Sequence, residues 1–499
     1  MSVTPDPEVD SAGGPSSAAG RPLMGRAIRG FLWSALSFGG SRLIIFAVTL
    51  FLARLLAPED FGVVAAGLTL ILFLETAMDL GLGAAVIYEQ EDGVTDRVRT
   101  AYTLNLVIAG CLTLIGVLVA PLVAAFFRTP DATPLFRVLF LYLLLRGGAQ
   151  VNNAVLQRDL RYRERTTIDI ARALTRGLVS VALALDGAGP WSIVVGMLAG
   201  EVAALLLSWW YVRLLPVIRW QGPVVRGLLG FGLAALGLKI AGSVLATGDD
   251  MIVGNRLGPG ELGLYTIGVR LPELAIASIY WIFATVAFPA YAKARLEGAD
   301  AFRGTMLRVL RLVTIFGFSA GAGLAVVAPV AVPLLFSDRW EDAVPTAVLT
   351  SVALGLASIG YASGDIFPAL GRPGTLLRLT AVMSLVAVVG FWLGAPHGIA
   401  AVAAVNVAFE VVFAVLRLRL ANRLIGSTWR QVGTALRPAV LSAVGVVGVA
   451  LPLTKVLPHD AAGLVGSVLG GLAGGLLVLA VGDRTALREL GGLLRTGWR

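Results

Sequence analysis

Cysteine occurs once in the chain, as Cys111, and histidine twice, as His397 and His459. A single cysteine excludes an internal disulfide and a cysteine metal cluster. The two histidines fall in separate connections far apart in sequence, which argues against a histidine metal site. Lysine is limited to Lys239, Lys293 and Lys455, and none of them follows a glycine, so no Walker-type phosphate loop is present. No serine elbow and no catalytic His, Ser or Cys constellation is recognisable. The chain therefore reads as a non-enzyme that needs no cofactor or metal. Charge is scarce too: 14% of residues are charged, against about 25% in soluble domains. Residues 1–25 have no apolar centre and read as a disordered cytoplasmic tail, not a cleavable signal. Insertion would rely on the first apolar run.

Apolar residues fill the space that charge leaves. They make up 57% of the chain and gather in runs of about 20 residues. Fourteen spans are expected, near 31–53, 62–86, 101–127, 135–156, 166–186, 190–212, 228–255, 262–290, 308–336, 344–370, 374–394, 398–416, 437–457 and 461–482. In lipid every backbone polar group must be satisfied internally, so only helices or closed barrels qualify. These runs are too long and too uniformly apolar for alternating barrel strands. The expected fold class is an all-α polytopic membrane protein with 14 transmembrane helices.

The net charge of +9 follows topology and not nucleic-acid binding. With the N-terminus in the cytoplasm, most of the 40 cations fall in inward segments. Only Arg54, Arg128, Arg137, Arg256, Arg339 and Lys455 fall in outward ones. That bias places both termini inside the cytoplasmic membrane and supports an even number of spans. The arginine-rich stretch 417–437 is expected along the inner surface, touching anionic membrane lipids.

A repeat runs through the chain. The turn Leu56-Ala57-Pro58-Glu59-Asp60-Phe61-Gly62 returns as Leu257-Gly258-Pro259-Gly260-Glu261-Leu262-Gly263. A second anchor follows each in the same order: Val119-Ala120-Pro121 ending in Phe126-Phe127, and Val327-Ala328-Pro329 ending in Leu335-Phe336. The alternative is that such turns simply recur between membrane helices; two anchors in one order favour an internal duplication. Its period encloses six spans, so both copies point the same way, the parallel-repeat plan of many transporters. The expected organisation is an N-lobe over 26–215 (helices 1–6), a C-lobe over 224–422 (helices 7–12), two extra helices over 436–483, and a cytoplasmic tail over 484–499.

Charges nevertheless sit inside the spans, each at roughly 2.5–3.5 kcal/mol at the bilayer centre. The cations are Arg42, Arg146, Arg172, Arg176, Lys239 and Arg270. The acids include Glu75, Asp79, Asp169, Glu201, Asp249, Asp250, Glu273, Asp365 and Glu410. So many charges cannot face lipid and require a wet or densely paired interior. Asp169 and Arg172, three apart on one helix, read as a pair, with Glu201 as a further partner. Asp365 and Glu410 are placed toward cytoplasmic helix ends, wetted or capping. Asp79, in Asp79-Leu80-Gly81-Leu82-Gly83, reads as a packing or gate residue. Arg42 and Arg270 open corresponding halves, and arginine offers fixed donors suited to phosphate oxygens. Arg42, Arg270, Lys239, Arg146 and Arg176 are the candidate substrate-binding cations. Asp249, Asp250, Glu273, Glu75 and Asp79 are candidates for ion coupling or for charge pairing with a neighbouring arginine.

Residues 53–62 with Gly81-Leu82, then Asp249-Asp250-Met251-Ile252-Val253-Gly254, Leu257-Gly258-Pro259, Leu262-Gly263-Leu264-Tyr265 and Arg270, carry a family likeness. Over about residues 25–425 the chain resembles the polysaccharide-export, Wzx-like branch of the multidrug/oligosaccharidyl-lipid/polysaccharide (MOP) flippase superfamily. That resemblance implies a V-shaped fold of twelve or fourteen helices. It implies alternating-access transfer of polyprenyl-diphosphate-linked oligosaccharide for O-antigen, capsule, exopolysaccharide or teichuronic-type polymers. Implied partners are that lipid-linked substrate and the glycan polymerase and glycosyltransferases of the same pathway. Related lipid II flippases use cavity arginines in spans 1 and 8, which fits Arg42 and Arg270; span 2 here carries only acids, against a lipid II role. A drug/cation antiporter of the same fold would want an acid-dominated cavity. A membrane glycan polymerase or glycosyltransferase would want a large external loop or a catalytic domain, and connections here are short. A non-transporting scaffold would not need so many intramembrane charges.

Overall fold

A computed structural model of the chain describes residues 20–78, 94–213, 222, 242–244 and 246–489. Every regular element among them is helical. The long ones are α1 (Gly20–Leu55), α2 (Pro58–Met78), α3 (Val94–Phe126), α4 (Thr133–Leu139) running on into α5 (Leu141–Arg158), α6 (Tyr162–Leu185) and α7 (Pro190–Val212). Helical residues 246–257 form α8. Then come α9 (Pro259–Pro272), α10 (Ser278–Glu297), α11 (Ala299–Phe336), α12 (Val344–Gly364), the short α13 (Ile366–Ala369), α14 (Pro373–Gly394), α15 (Ile399–Ile425), α16 (Trp429–Val456) and α17 (Ala461–Gly482). Ten of the described helical stretches are long and apolar enough to cross a membrane. The chain is a multi-pass membrane protein. Of the expected span at 228–255, only the part nearest α9 lies within the described residues.

Helix starts follow local chemistry. Proline opens α2, α7, α9 and α14, where its missing N–H would have no partner anyway. Thr428 and Gln431 close a capping box on α16.

The two copies of the turn lie against each other, so α2 packs along α9. The approach is reciprocal. A Cβ on Gly62 would overlap the carbonyl of Pro259, and a Cβ on Gly263 would overlap the carbonyl of Pro58. Glycine at both positions is what lets the two backbones touch. Side chains repeat the reciprocity. Arg54 Nη2 donates to the Leu334 carbonyl at 3.0 Å, and Asn255 Nδ2 donates to the Phe126 carbonyl at 2.7 Å. Phe336 meets Phe46 edge to face, and the Phe127 ring fills the space over Gly254. Trp340, fully buried, stands edge-on to Phe61 with ring centroids 5.2 Å apart, and its indole N–H donates to the Ala53 carbonyl at 2.8 Å. An indole N–H left unpaired at that depth would be costly, so this hydrogen bond fixes the ring.

The helices beyond the repeat are not peripheral to packing. Helix α16 lies along α11, with Ser319 and Ser442 hydroxyls 2.7 Å apart, and α17 lies along α16. Gly445 and Gly474 each sit beneath the other's carbonyl, the small-residue contact by which helices associate in lipid. By contrast, α14 turns Val382, Leu385, Val389 and Trp392 outward.

Several helices start before the expected spans, as at Gly20, Ala299 and Trp429, and two departures bear on the site. The helix expected to stop near 416 continues to Ile425, because Leu418, Ala421 and Ile425 extend its buried face past Arg417. The stretch 417–437 is therefore the end of one helix, a turn at Gly426 and the start of the next. The expected span 262–290 is interrupted: after Pro272 the backbone widens into a π turn over Glu273–Ala277 before α10 begins. Proline removes one helical hydrogen bond, and π turns gather at functional positions.

The turn contact generates a test. Gly62→Ala forces a methyl onto a backbone carbonyl and should cost on the order of 2 kcal/mol. Gly110→Ala, with nothing within 4 Å of the added atom, should be neutral or stabilise by up to about 1 kcal/mol. Thermal unfolding in detergent separates the two; equal melting temperatures would contradict the packing described.

Candidate functional site

Two charged groups lie in the first half and at its border with the second. In the first half, Arg146 on α5 reaches Glu75 on α2 with Nε 2.9 Å from Oε1, and its Nη1 lies 3.8 Å from Glu201 on α7. Arg172 on α6 lies 3.1 Å from the same Glu201 oxygen and 3.0 Å from Asp169 one turn back. Asp169 in turn accepts from Ser37 on α1 at 2.8 Å. Glu201 is almost fully buried, with a side-chain exposure of 4%. The network ties α1, α2, α5, α6 and α7 together. Each charge in it meets an opposite one, as a low-dielectric interior demands.

The pairing of Asp169, Arg172 and Glu201 follows from spacing. The pairing of Arg146 with Glu75 does not, because those residues are distant in sequence and meet only through packing. Gly200 makes room for the network: a side chain there would press on the Arg172 carbonyl and on Cβ of Arg176.

The second group is built around Arg270. It sits on α9 just before Pro272, and its Nη1 is 3.5 Å from Glu273 at the start of the π turn. Both side chains are open, at 36% and 49% exposure. Arg176, on α6 of the first half, lies within electrostatic reach of Arg270 and of Glu201. It thus links the two groups. On α8, Asp249 accepts from the Tyr265 hydroxyl at 2.7 Å and from the Asp250 amide at 3.0 Å. Glu273 lies within electrostatic reach of both aspartates. Among the described residues no three acids converge closely enough to hold a metal ion.

Arg42 is partly exposed on α1. Thr166 donates to the Trp33 carbonyl, Ser37 to Asp169, and Gly177 faces Val48, so α1 and α6 run side by side in step. Arg42 therefore stands at the level of Arg172 and Arg176. The structure thus brings Glu75 and Arg146 together, puts Arg176 within electrostatic reach of Arg270, and puts Glu273 beside Arg270 and within electrostatic reach of Asp249 and Asp250. Lys239 and Asp79 lie outside the described residues.

Sequence reasoning missed a third group. Arg417, which the cation pattern assigns to a cytoplasmic connection, lies inside α15 with its guanidinium 3.6 Å from the Phe413 ring centroid. Glu410, on the same helix, and Tyr361, on α12, are within its electrostatic reach. Glu410 is well inside α15, and not near its end, because that helix runs on to Ile425. The available signal was the seven-residue step from Glu410 to Arg417, two turns along one helical face.

A family profile described as "Polysaccharide biosynthesis protein" matches residues 51–345. The succinoglycan biosynthesis transport protein ExoT of Rhizobium meliloti (strain 1021) is 25% identical over 65% of this chain and 65% of its own length, just under two thirds. The lipopolysaccharide biosynthesis protein WzxC of Escherichia coli (strain K12) is 25% identical over 70% of this chain and 71% of its own. The teichuronic acid biosynthesis protein TuaB of Bacillus subtilis (strain 168) is 24% identical over 64% of this chain and 72% of its own. Among solved structures, the lipid II flippase MurJ in an inward closed conformation superposes with a TM-score of 0.74 at 11% identity, covering 92% of this chain and 100% of that one. An inward-facing multidrug resistance MATE family transporter of the MOP superfamily follows at 0.62 and 17% identity, over 77% of this chain and 94% of that one. These likenesses establish the MOP fold, and by the extent of the profile match the chain belongs to the polysaccharide biosynthesis protein family.

Proposed function

We propose that this protein is a flippase that moves a polyprenyl-diphosphate-linked oligosaccharide across the cytoplasmic membrane for surface polysaccharide assembly. The observation that carries the reading is the open cation Arg270 at the break made by Pro272 and the π turn, with Arg176 of the first half within its electrostatic reach. Two like charges inside a membrane repel each other, and each is costly there. A diphosphate between them relieves both penalties, and the planar donor forks suit its oxygens. The transport and polysaccharide roles printed for the relatives point the same way.

In this reading Arg42 and Lys239 complete the headgroup site. The glycan occupies the wet space between the halves, and the lipid tail stays in the bilayer through a gap between α1 and α9. The halves rock to expose the site to one side and then the other. With an inside-negative potential, outward passage of an anion gains about 2.3 kcal/mol per charge per 100 mV. The paired charges around Glu201 hold the first half rigid while it moves. Partners are the lipid-linked oligosaccharide, membrane lipids, and the polymerase and glycosyltransferases that consume and supply it. A drug/cation antiporter on the same fold is the second reading, favoured by the mutual proximity of Asp249, Asp250 and Glu273. It requires cation-driven efflux and indifference to polyprenyl carriers.

The proposed topology places both termini in the cytoplasm. In a Cys111→Ser background, His459→Cys should react with an impermeant maleimide on intact cells, and Glu297→Cys only after permeabilisation. The opposite pattern would invert the chain.

For the headgroup site, initial flipping rates of a fluorescent polyprenyl-diphosphate oligosaccharide in proteoliposomes are the measure. Arg42→Ala, Arg176→Ala and Arg270→Ala should each slow it about tenfold or more, equivalent to ~1.4 kcal/mol, with Arg270→Lys intermediate. Normal rates for Arg42→Ala and Arg270→Ala together would sink the assignment.

A further inference from the structure

The two halves carry an acid at the same register and treat it differently. Helices α7 and α15 each follow a glycine with positive φ, Gly189 and Gly398. Glu201 lies as far beyond the first as Glu410 lies beyond the second. In the first half, α6 and α5 supply Arg172 and Arg146, and Glu201 is buried and neutralised. In the second half, α14 carries no charged residue after Arg378. Glu410 remains partly exposed, with Arg417 as its cationic neighbour.

Around Glu410 the side chains are firmly held. The Arg417 guanidinium is set against Phe413 and against Gly360, where any side chain would collide with it. Its Nε is buried and finds no hydrogen-bond partner among the described residues. Next to Gly360, Tyr361 is 46% exposed. Its ring is backed by Tyr280, with centroids 4.5 Å apart and planes tilted by 31°. Tyr280 is itself fully buried and donates to the Leu354 carbonyl at 2.7 Å. Tyr361 lies within electrostatic reach of Glu410, of Arg417 and of Glu273, the neighbour of Arg270. A polar strip thus runs from Arg270 through Glu273 and Tyr361 to Glu410 and Arg417. Such a strip is too costly to face acyl chains, so the open face of Tyr361 belongs to the interior.

We propose that Tyr361, flanked by Glu410 and Arg417, is the saccharide-binding subsite, taking a pyranose ring of the lipid-linked glycan; this rests on the reading of Arg176 and Arg270 as the diphosphate site. A pyranose has a face of C–H groups and a rim of hydroxyls. The C–H face lies on the exposed face of an aromatic ring backed by Tyr280. The hydroxyls donate to the carboxylate and accept from the guanidinium. The partly exposed carboxylate of Glu410 supplies an acceptor that its counterpart Glu201, sealed between Arg146 and Arg172, does not.

The test measures binding of two probes to purified full-length protein in detergent. One is a short polyprenyl diphosphate carrying a hexose disaccharide; the other is the same carrier ending in the bare diphosphate. Tyr361→Ala should weaken the glycosylated probe about tenfold and leave the bare probe within about twofold. Tyr361→Phe, which keeps the ring, should retain most of the binding, and Glu410→Gln should weaken only the glycosylated probe. Arg270→Ala should weaken both. Parallel loss of the two probes in Tyr361→Ala, no loss of either, or equal loss in Tyr361→Phe and Tyr361→Ala would overturn the subsite while the diphosphate reading stands. A wild-type protein that binds neither probe would bring down the diphosphate reading, and the subsite with it.

Discussion

Two glycines and two proline carbonyls carry the join between the halves of this protein. Gly62 lies under the carbonyl of Pro259, and Gly263 under that of Pro58. Backbone contact of this kind is indifferent to lipid, because it gains from close packing and not from excluding water. It also leaves little tolerance, since any side chain at either glycine would separate the helices. Trp340, Phe61, Arg54 and Asn255 then lock the region from both sides, each through a contact with the other half. In the proposed rocking motion the join must keep its two faces in register. The reciprocal backbone contact at the two glycines suits that role, with the surrounding side chains fixing its register.

Farther from the join, the constraint is charge. An ion in the membrane interior must be paired, wetted or employed. The first half pairs: Arg146 and Arg172 converge on Glu201, with Glu75 and Asp169 completing the set. The border between the halves does not close in the same way. Arg176 and Arg270 lie within electrostatic reach of each other, and Arg270 and Glu273 stay open at a point where the helix is already widened by Pro272 and the π turn. Rigid paired charge on one side and exposed charge at the break is the arrangement expected of a scaffold that presents a binding surface without being pulled apart by it.

Much of this was legible in the sequence, for identifiable reasons. Long apolar runs announce helices because lipid leaves the backbone no alternative. The turns at 56–62 and 257–263 are visible because proline and glycine do backbone work that no other residue does. The link from Asp169 to Arg172 follows from helical spacing. What escaped depends on which helices lie side by side. Arg146 and Glu75 meet across two helices, and no local pattern joins them. Arg417 reads as a loop cation until α15 is seen to run on to Ile425, and its neighbourhood exists only because Gly360 yields space. The break after Pro272 also escaped, because 262–290 reads as one apolar run, although Arg270 and Glu273 beside it were both singled out by their charge.

The repeat also shows where symmetry is kept and where it is lost. At the turns, where backbone meets backbone, the halves match residue for residue in role: Pro58 and Pro259, Gly62 and Gly263, Arg54 and Asn255 as donors to opposite carbonyls. At mid-depth, where side chains meet, the match stops. Glu201 and Glu410 share a register, yet one is sealed between two arginines and the other stands beside an exposed tyrosine. Backbone contacts admit few solutions, so two copies that must touch retain the same one. Side-chain clusters admit many, so a duplicated acid is free to become structural in one half and available in the other. The proposed substrate, an amphiphile with a charged head and a hydroxylated glycan, calls for such unequal surfaces, and a duplicated bundle whose symmetry is kept at the join can supply them.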